Sequence, residues 1–81
     1  MDPILGQIAL LAFGWTPQGW ASCEGQILQI GDYQALFSLI GTTYGGDGKS
    51  TFALPNLKAQ AEAFGGAQFV IAVEGIYPSR P

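Results

Sequence analysis

The sequence predicts a small α+β domain: a mostly antiparallel sheet, one short buried helix and a glycine-rich loop. Three observations carry that expectation. Residues 7–13 and 67–74 each carry a short apolar run that fills both faces of a strand. Tyr33, Leu36, Phe37 and Ile40 fall at i, i+3, i+4 and i+7, one stripe of a helix. Glycines at 41, 45, 46 and 48 then crowd the loop that follows. At 81 residues the chain is one domain, and the helix is the piece that its strands pack around.

Taken in order, the first strand runs over 7–13, with Ile8 and Leu10 on one face and Leu11 and Phe13 on the other. Apolar character on both faces predicts cover on both sides. Residues 14–19 form a turn in which Thr16-Pro17 sets an extended step. A second strand over 20–23 turns at Glu24-Gly25 into a returning strand over 26–30. Asp32 is placed to cap a helix over 33–40, and Gly41 to end it. Only Gln34 and Ser38 are polar inside that helix, which predicts burial on most sides. Residues 52–57 are extended because Pro55 biases the residue before it away from helix. Residues 58–64 suit either state: Ala59, Ala61 and Ala63 alternate as in a strand, while alanine itself favours helix. The reading adopted is extended. Gly65-Gly66 is a joint, 68–74 is the closing strand, and 75–81 is a proline-stiffened tail. The first and last strands are expected side by side.

Composition narrows the function. Charged residues make up 11% of the chain, against about 25% in a typical soluble domain. So few charges leave apolar patches open, and such patches mark contacts with other proteins. Burial between copies of the chain is therefore expected. The three basic residues, Lys49, Lys58 and Arg80, lie far apart, which excludes the basic cluster that nucleic acid or an anionic membrane needs. No stretch reaches the ~18–20 apolar residues of a membrane helix. The opening Met1-Asp2-Pro3 is acidic where a signal peptide is basic, so export is expected by lysis or a dedicated machine.

Chemistry finds little to work with. Histidine is absent, and Cys23 is alone, so neither an internal disulfide nor a cysteine-rich zinc site is possible. Cys23 is expected as a small buried side chain. The run from Thr43 to Ser50 imitates a phosphate-binding loop, but Thr43 stands where the first glycine belongs, and the loop heads for Pro55 rather than a helix. A calcium site at Asp47 would have one carboxylate, too few for tight binding. Glu24, Asp32, Glu62 and Glu74 have no evident acid–base partner, and no serine has a histidine to activate it. No catalytic residue, cofactor or metal is expected. The aromatic residues are read as core or interface, with sugar stacking by Trp15 or Tyr44 as the alternative.

A long run of motifs resembles the phage tail collar family, including the bacterial proteins labelled microcystin-dependent. They are Met1-Asp-Pro, Gly6-Gln-Ile, Pro17-Gln-Gly-Trp20, Cys23-Glu-Gly-Gln26, the stretch from Gln34 to Gly48, and Thr51-Phe-Ala-Leu-Pro-Asn-Leu57. The ending from Phe69 to Arg80 is similar to how such proteins finish. The resemblance divides the single domain 1–81 into a collar signature over 1–57, a shortened connector over 58–66, and a closing strand with its tail over 67–81. Members usually carry a long glycine-, threonine- and histidine-rich segment where this chain has only 58–66, which argues against a receptor site or histidine-held metal there. What remains implies trimeric assembly and attachment in a tail fibre.

The function expected is a non-catalytic structural subunit that self-assembles into a tail-fibre-like trimer or an extracellular filament, in a virion tail or extracellular appendage. The assembly interface is expected from Ile8, Leu10, Phe13, Trp15, Trp20, Phe69, Ile71, Ile76 and Tyr77. The tail at 76–78 and the opening at 1–3 are expected to lie on a neighbour. The partners expected are other copies of the chain and other tail or fibre proteins. The rival expectation is a glycan- or receptor-binding adhesin module using Trp15 and a ligand loop with Tyr44, Asp47 and Lys49.

Overall fold

The computed structural model describes residues 3–79. Its central strand is the last one in sequence, β5 (Gln68–Ala72), flanked on both sides by strands from the first third of the chain. Strand β1 (Ile8–Leu11) pairs with it antiparallel, Ile8 opposite Ile71 and Leu10 opposite Phe69. Strand β2 (Trp20–Ser22) pairs with its other edge, Trp20 opposite Ala72 and Ser22 opposite Val70. The first and last strands are thus neighbours, as expected. Val70, Ile71 and Ala72 are all buried, which accounts for a segment apolar at every position. Both flanking strands run against β5, so residues 12–19 must travel back along the sheet between them. Gln68 anchors that return: its Nε2 donates to the carbonyls of Phe13 (2.9 Å) and Trp15 (2.7 Å).

The hairpin expected at Glu24-Gly25 does not form, and the single sheet is two. Strand β3 (Ile27–Gln29) pairs not with β2 but with β4 (Thr51–Ala53), Leu28 opposite Phe52. Backbone bonds carry that pairing past both strand ends. Ile30 N–H donates to Ser50 O, Leu54 N–H to Gln26 O, Gly25 N–H to Pro55 O, and Leu57 N–H to Cys23 O. Residues 23–30 therefore lie against 50–57, a longer apolar partner than a tight Glu-Gly turn can supply. Cys23 is the point of transfer. Its N–H bonds Phe69 in the first sheet and its carbonyl accepts from Leu57 in the second.

The helix α1 (Gln34–Ile40) packs by one stripe rather than on most sides. Leu36 is buried, Phe37, Leu39 and Ile40 are half-buried, and Gln34, Ala35 and Ser38 face outward. Leu36 joins Leu5, Cys23, Phe52, Leu54 and Ile71 in one core, where the Phe37 and Phe52 rings meet at 5.5 Å. Asp32 does not cap the helix. It sits in a 3₁₀ turn over Ile30–Asp32, so the helix begins after Tyr33 and has no side-chain cap bond. At the other end Gly41 takes φ +55° and donates to Phe37 O, as its position predicts.

Residues 58–62 are helical, not extended: α2 (Lys58–Glu62) starts where Asn56 Oδ1 accepts the N–H of Lys58 at 3.2 Å. One buried alanine, Ala61, fixes it, and helix propensity prevails over an alternation too small in volume to anchor a strand. The tail returns to its own chain. Ile76 bridges Ile4 in parallel, exchanging bonds with Leu5 N–H and Pro3 O, and the Tyr77 hydroxyl lies 2.8 Å from Ser38 Oγ. So 76–77 and Pro3, expected on a neighbour, are bonded within the chain. The expectations on Met1, Asp2, Arg80 and Pro81 lie outside the described residues.

Candidate functional site

The residues predicted for assembly separate into surface and core. Ile71 is 1% exposed inside the core and offers no surface, a correction that follows from its place on the central strand. Trp20 and Phe69 are half-buried. The other six are exposed, and they follow the edge strand. Ile8 and Leu10 project from β1 itself, while Phe13 and Trp15 stack just beyond its end with ring centroids 4.4 Å apart. Ile76 and Tyr77 lie near its other end, beside exposed Ile4. Trp15, at 64%, is the most exposed large apolar side chain among the described residues. Residues 3–23 contain no Asp, Glu, Lys or Arg, so this edge carries no side-chain charge. Sequence reasoning missed Ile4, Ile27 and Phe64, all exposed. Ile4 was legible as an apolar side chain ahead of the first strand. Phe64 had no signal, because its position depends on α2.

The glycine loop is organised by Asp47. Its Oδ1 accepts N–H bonds from Lys49 (2.8 Å), Ser50 (2.9 Å) and Thr51 (3.0 Å), and Oδ2 accepts from Ser50 Oγ at 3.3 Å. The Asp47 N–H in turn donates to Thr51 Oγ1. The N–H groups of Ser50, Thr51 and Lys49, in that order, hold the carboxyl far below the usual carboxylate range. This carboxylate is turned to its own backbone, an Asx-type turn that leads directly into β4. Tyr44 remains exposed on the loop. Among the described residues, no three of His, Cys, Asp and Glu are grouped to hold a metal ion.

Because the Asp47 pKa is depressed by folding, its stabilisation is complete above the unfolded value of about 4 and is lost as pH falls through the folded value. Asp47→Asn is expected to lower the urea midpoint at neutral pH and to flatten its decline below about pH 4. Parallel wild-type and variant curves across that range would refute the role.

An open cavity of about 610 Å³ lies between residues 14–16, the end of β2, α2 and the Gly65-Gly66 joint. Glu24 sits at its wall, accepting from Ser22 Oγ at 2.9 Å and facing Lys58 Nζ at 3.6 Å. Cys23 is behind it, 2% exposed, and burial pushes its thiol up to about 11. A folded-state pKa raised in this way stabilises fully below the unfolded value, about 9, and less as pH rises toward 11. The native thiol is expected to react with a disulfide reagent near neutral pH far more slowly than in urea. Equal rates would place Cys23 at the surface.

The pattern of the family described as Phage Tail Collar Domain matches residues 6–61, more than two thirds of the sequence. This chain belongs to the phage tail collar domain family. The collar match takes in β1 to β4, α1 and nearly all of α2, with the core residues Cys23, Leu36, Phe52 and Leu54. The central strand β5 lies beyond the matched collar residues, yet it is what joins β1 to β2. No curated protein matches the chain.

Proposed function

We propose that this collar domain is a non-catalytic structural subunit of a phage tail or tail-like appendage, and that it self-assembles into a tail-fibre-like trimer or an extracellular filament. Membership of the collar family supports the tail role. The observation that carries self-assembly is the exposed apolar row along β1, set in a 21-residue stretch (3–23) without a charged side chain. Water tolerates scattered apolar side chains, but a contiguous uncharged row favours cover by another protein surface. Other copies, and other tail or fibre proteins, are its partners in this reading.

Sedimentation velocity over a concentration series, with electron microscopy of the concentrated protein, tests it. Discrete oligomers or fibres that grow with concentration are expected. A stable monomer at every micromolar concentration tried would overturn self-assembly.

The Phe13–Trp15 stack favours one second reading, an adhesin module binding a cell-surface glycan, because an exposed aromatic face suits a sugar ring. Quenching or enhancement of tryptophan fluorescence by polysaccharide, lost in Trp15→Ala, would support it.

A further inference from the structure

We propose that β1 pairs edge to edge with β1 of a second copy, antiparallel about a two-fold axis at Ala9, so that two sheets become one. The proposal rests on the self-assembly reading and names one contact within it; a two-fold contact joins copies in pairs, so it serves the filament form and not a closed trimer. The order β1-β5-β2 leaves β1 at an edge. Two bonds fix which backbone groups are free. Cys23 N–H donates to Phe69 O, so Phe69 and Ile71 direct their backbone groups to β2; Ala72 N–H donates to Gln7 O, so the alternate residues face β1. In an antiparallel ladder this phase points the N–H and C=O of Ile8 and Leu10 away from β5, toward solvent. No bond from another segment reaches them among the described residues.

Sheets usually blunt such an edge with lysine, proline or a bulge. Strand β1 reads Ile-Ala-Leu-Leu and has no lysine or proline, and its one bulge, where Gly6 and Gln7 both oppose Ala72, lies ahead of Ile8 and leaves 8–11 regular. A two-fold contact brings each charge near its own copy, which is costly, and the uncharged stretch over 3–23 avoids that cost. The free groups also set the register. Ile8 exchanges its backbone bonds with the partner's Leu10, Leu10 does so with the partner's Ile8, and Ala9 meets its own copy across the axis. The exposed Ile8 and Leu10 side chains of both copies then cover one another on one face, while small Ala9 permits the close approach on the other.

Cross-linking tests the register in the full chain. Ala9→Cys is expected to give a disulfide-linked dimer on mild oxidation, because a non-hydrogen-bonded pair sets Cα atoms about 4.5 Å apart, within disulfide reach. Leu11→Cys, which faces the partner's Gln7, is expected to stay uncross-linked. Leu10→Pro removes only an outward N–H and is expected to abolish the dimer boundary in sedimentation while circular dichroism keeps the folded spectrum. Should it unfold, Ile8→Lys places a charge at an already exposed position and is expected to weaken association by about tenfold or more. If the wild type associates but Ala9→Cys does not cross-link, or Ile8→Lys associates unchanged, the edge contact is overturned and self-assembly stands through another surface. A wild-type chain that never associates overturns both.

Discussion

Phe52→Ala is expected to cost about 3–5 kcal/mol, most of what a domain of this size has to lose. Phe52 is fully buried, the largest such side chain among the described residues. It reaches across the second sheet to Phe37 of α1 and lies in the core with Leu36, Leu54 and Ile71, so its removal opens a void shared by both sheets and the helix. Urea unfolding followed by circular dichroism measures the effect as a lower midpoint. Phe13→Ala is the control: its ring is stacked but exposed, and a loss below about 1 kcal/mol is expected. An unchanged midpoint for Phe52→Ala would mean that the core is not centred where the structure puts it.

Gly46→Ala is expected to cost about 2–3 kcal/mol, although it adds one methyl group to an exposed loop. Gly46 has φ +95°, and a Cβ there would lie 2.3 Å from Phe52 Cα and 2.7 Å from Thr51 O. Both obstacles are backbone, so no rotamer change relieves them. The loop is pressed this close because Gly45 O accepts from Ala53 N–H and Gly48 N–H donates to Thr51 O, tying it to β4 on both sides of Gly46. Gly14→Ala, with negative or extended φ and nothing within 4 Å, is expected to change stability by less than about 0.5 kcal/mol. Equal effects of the two substitutions would show that the loop does not rest on β4.

What the sequence disclosed depended on how long each physical signal runs. The helical stripe of Leu36, Phe37 and Ile40, and the unbroken apolar run of β5, are long-range patterns imposed by burial, and both were legible. The pairing of residues 23–30 was not. Local turn chemistry at Glu24-Gly25 points to a hairpin, whereas the partner chosen, residues 50–57, is distant in sequence and wins by the length of its ladder. The state of residues 58–62 turned on one small side chain, Ala61, which periodicity weighs too lightly. In the loop, the Asp-Gly-Lys-Ser order could have disclosed Asp47 as an Asx turn, since a short carboxylate two to four residues ahead of free N–H groups is placed to accept from them. The outward row along β1 was visible as apolar residues, but not as an edge, because edges belong to topology.

The strand that completes the first sheet is also made last among its members. While a ribosome is still synthesising the middle of the chain, β1 and β2 have no common neighbour, and nothing but residues 68–72 can supply one. Pairing across so much intervening sequence closes slowly. The backbone groups of Ala9 and Leu11 that face β5 therefore spend translation unpaired, and nascent copies on one messenger would meet with both edges of β1 open.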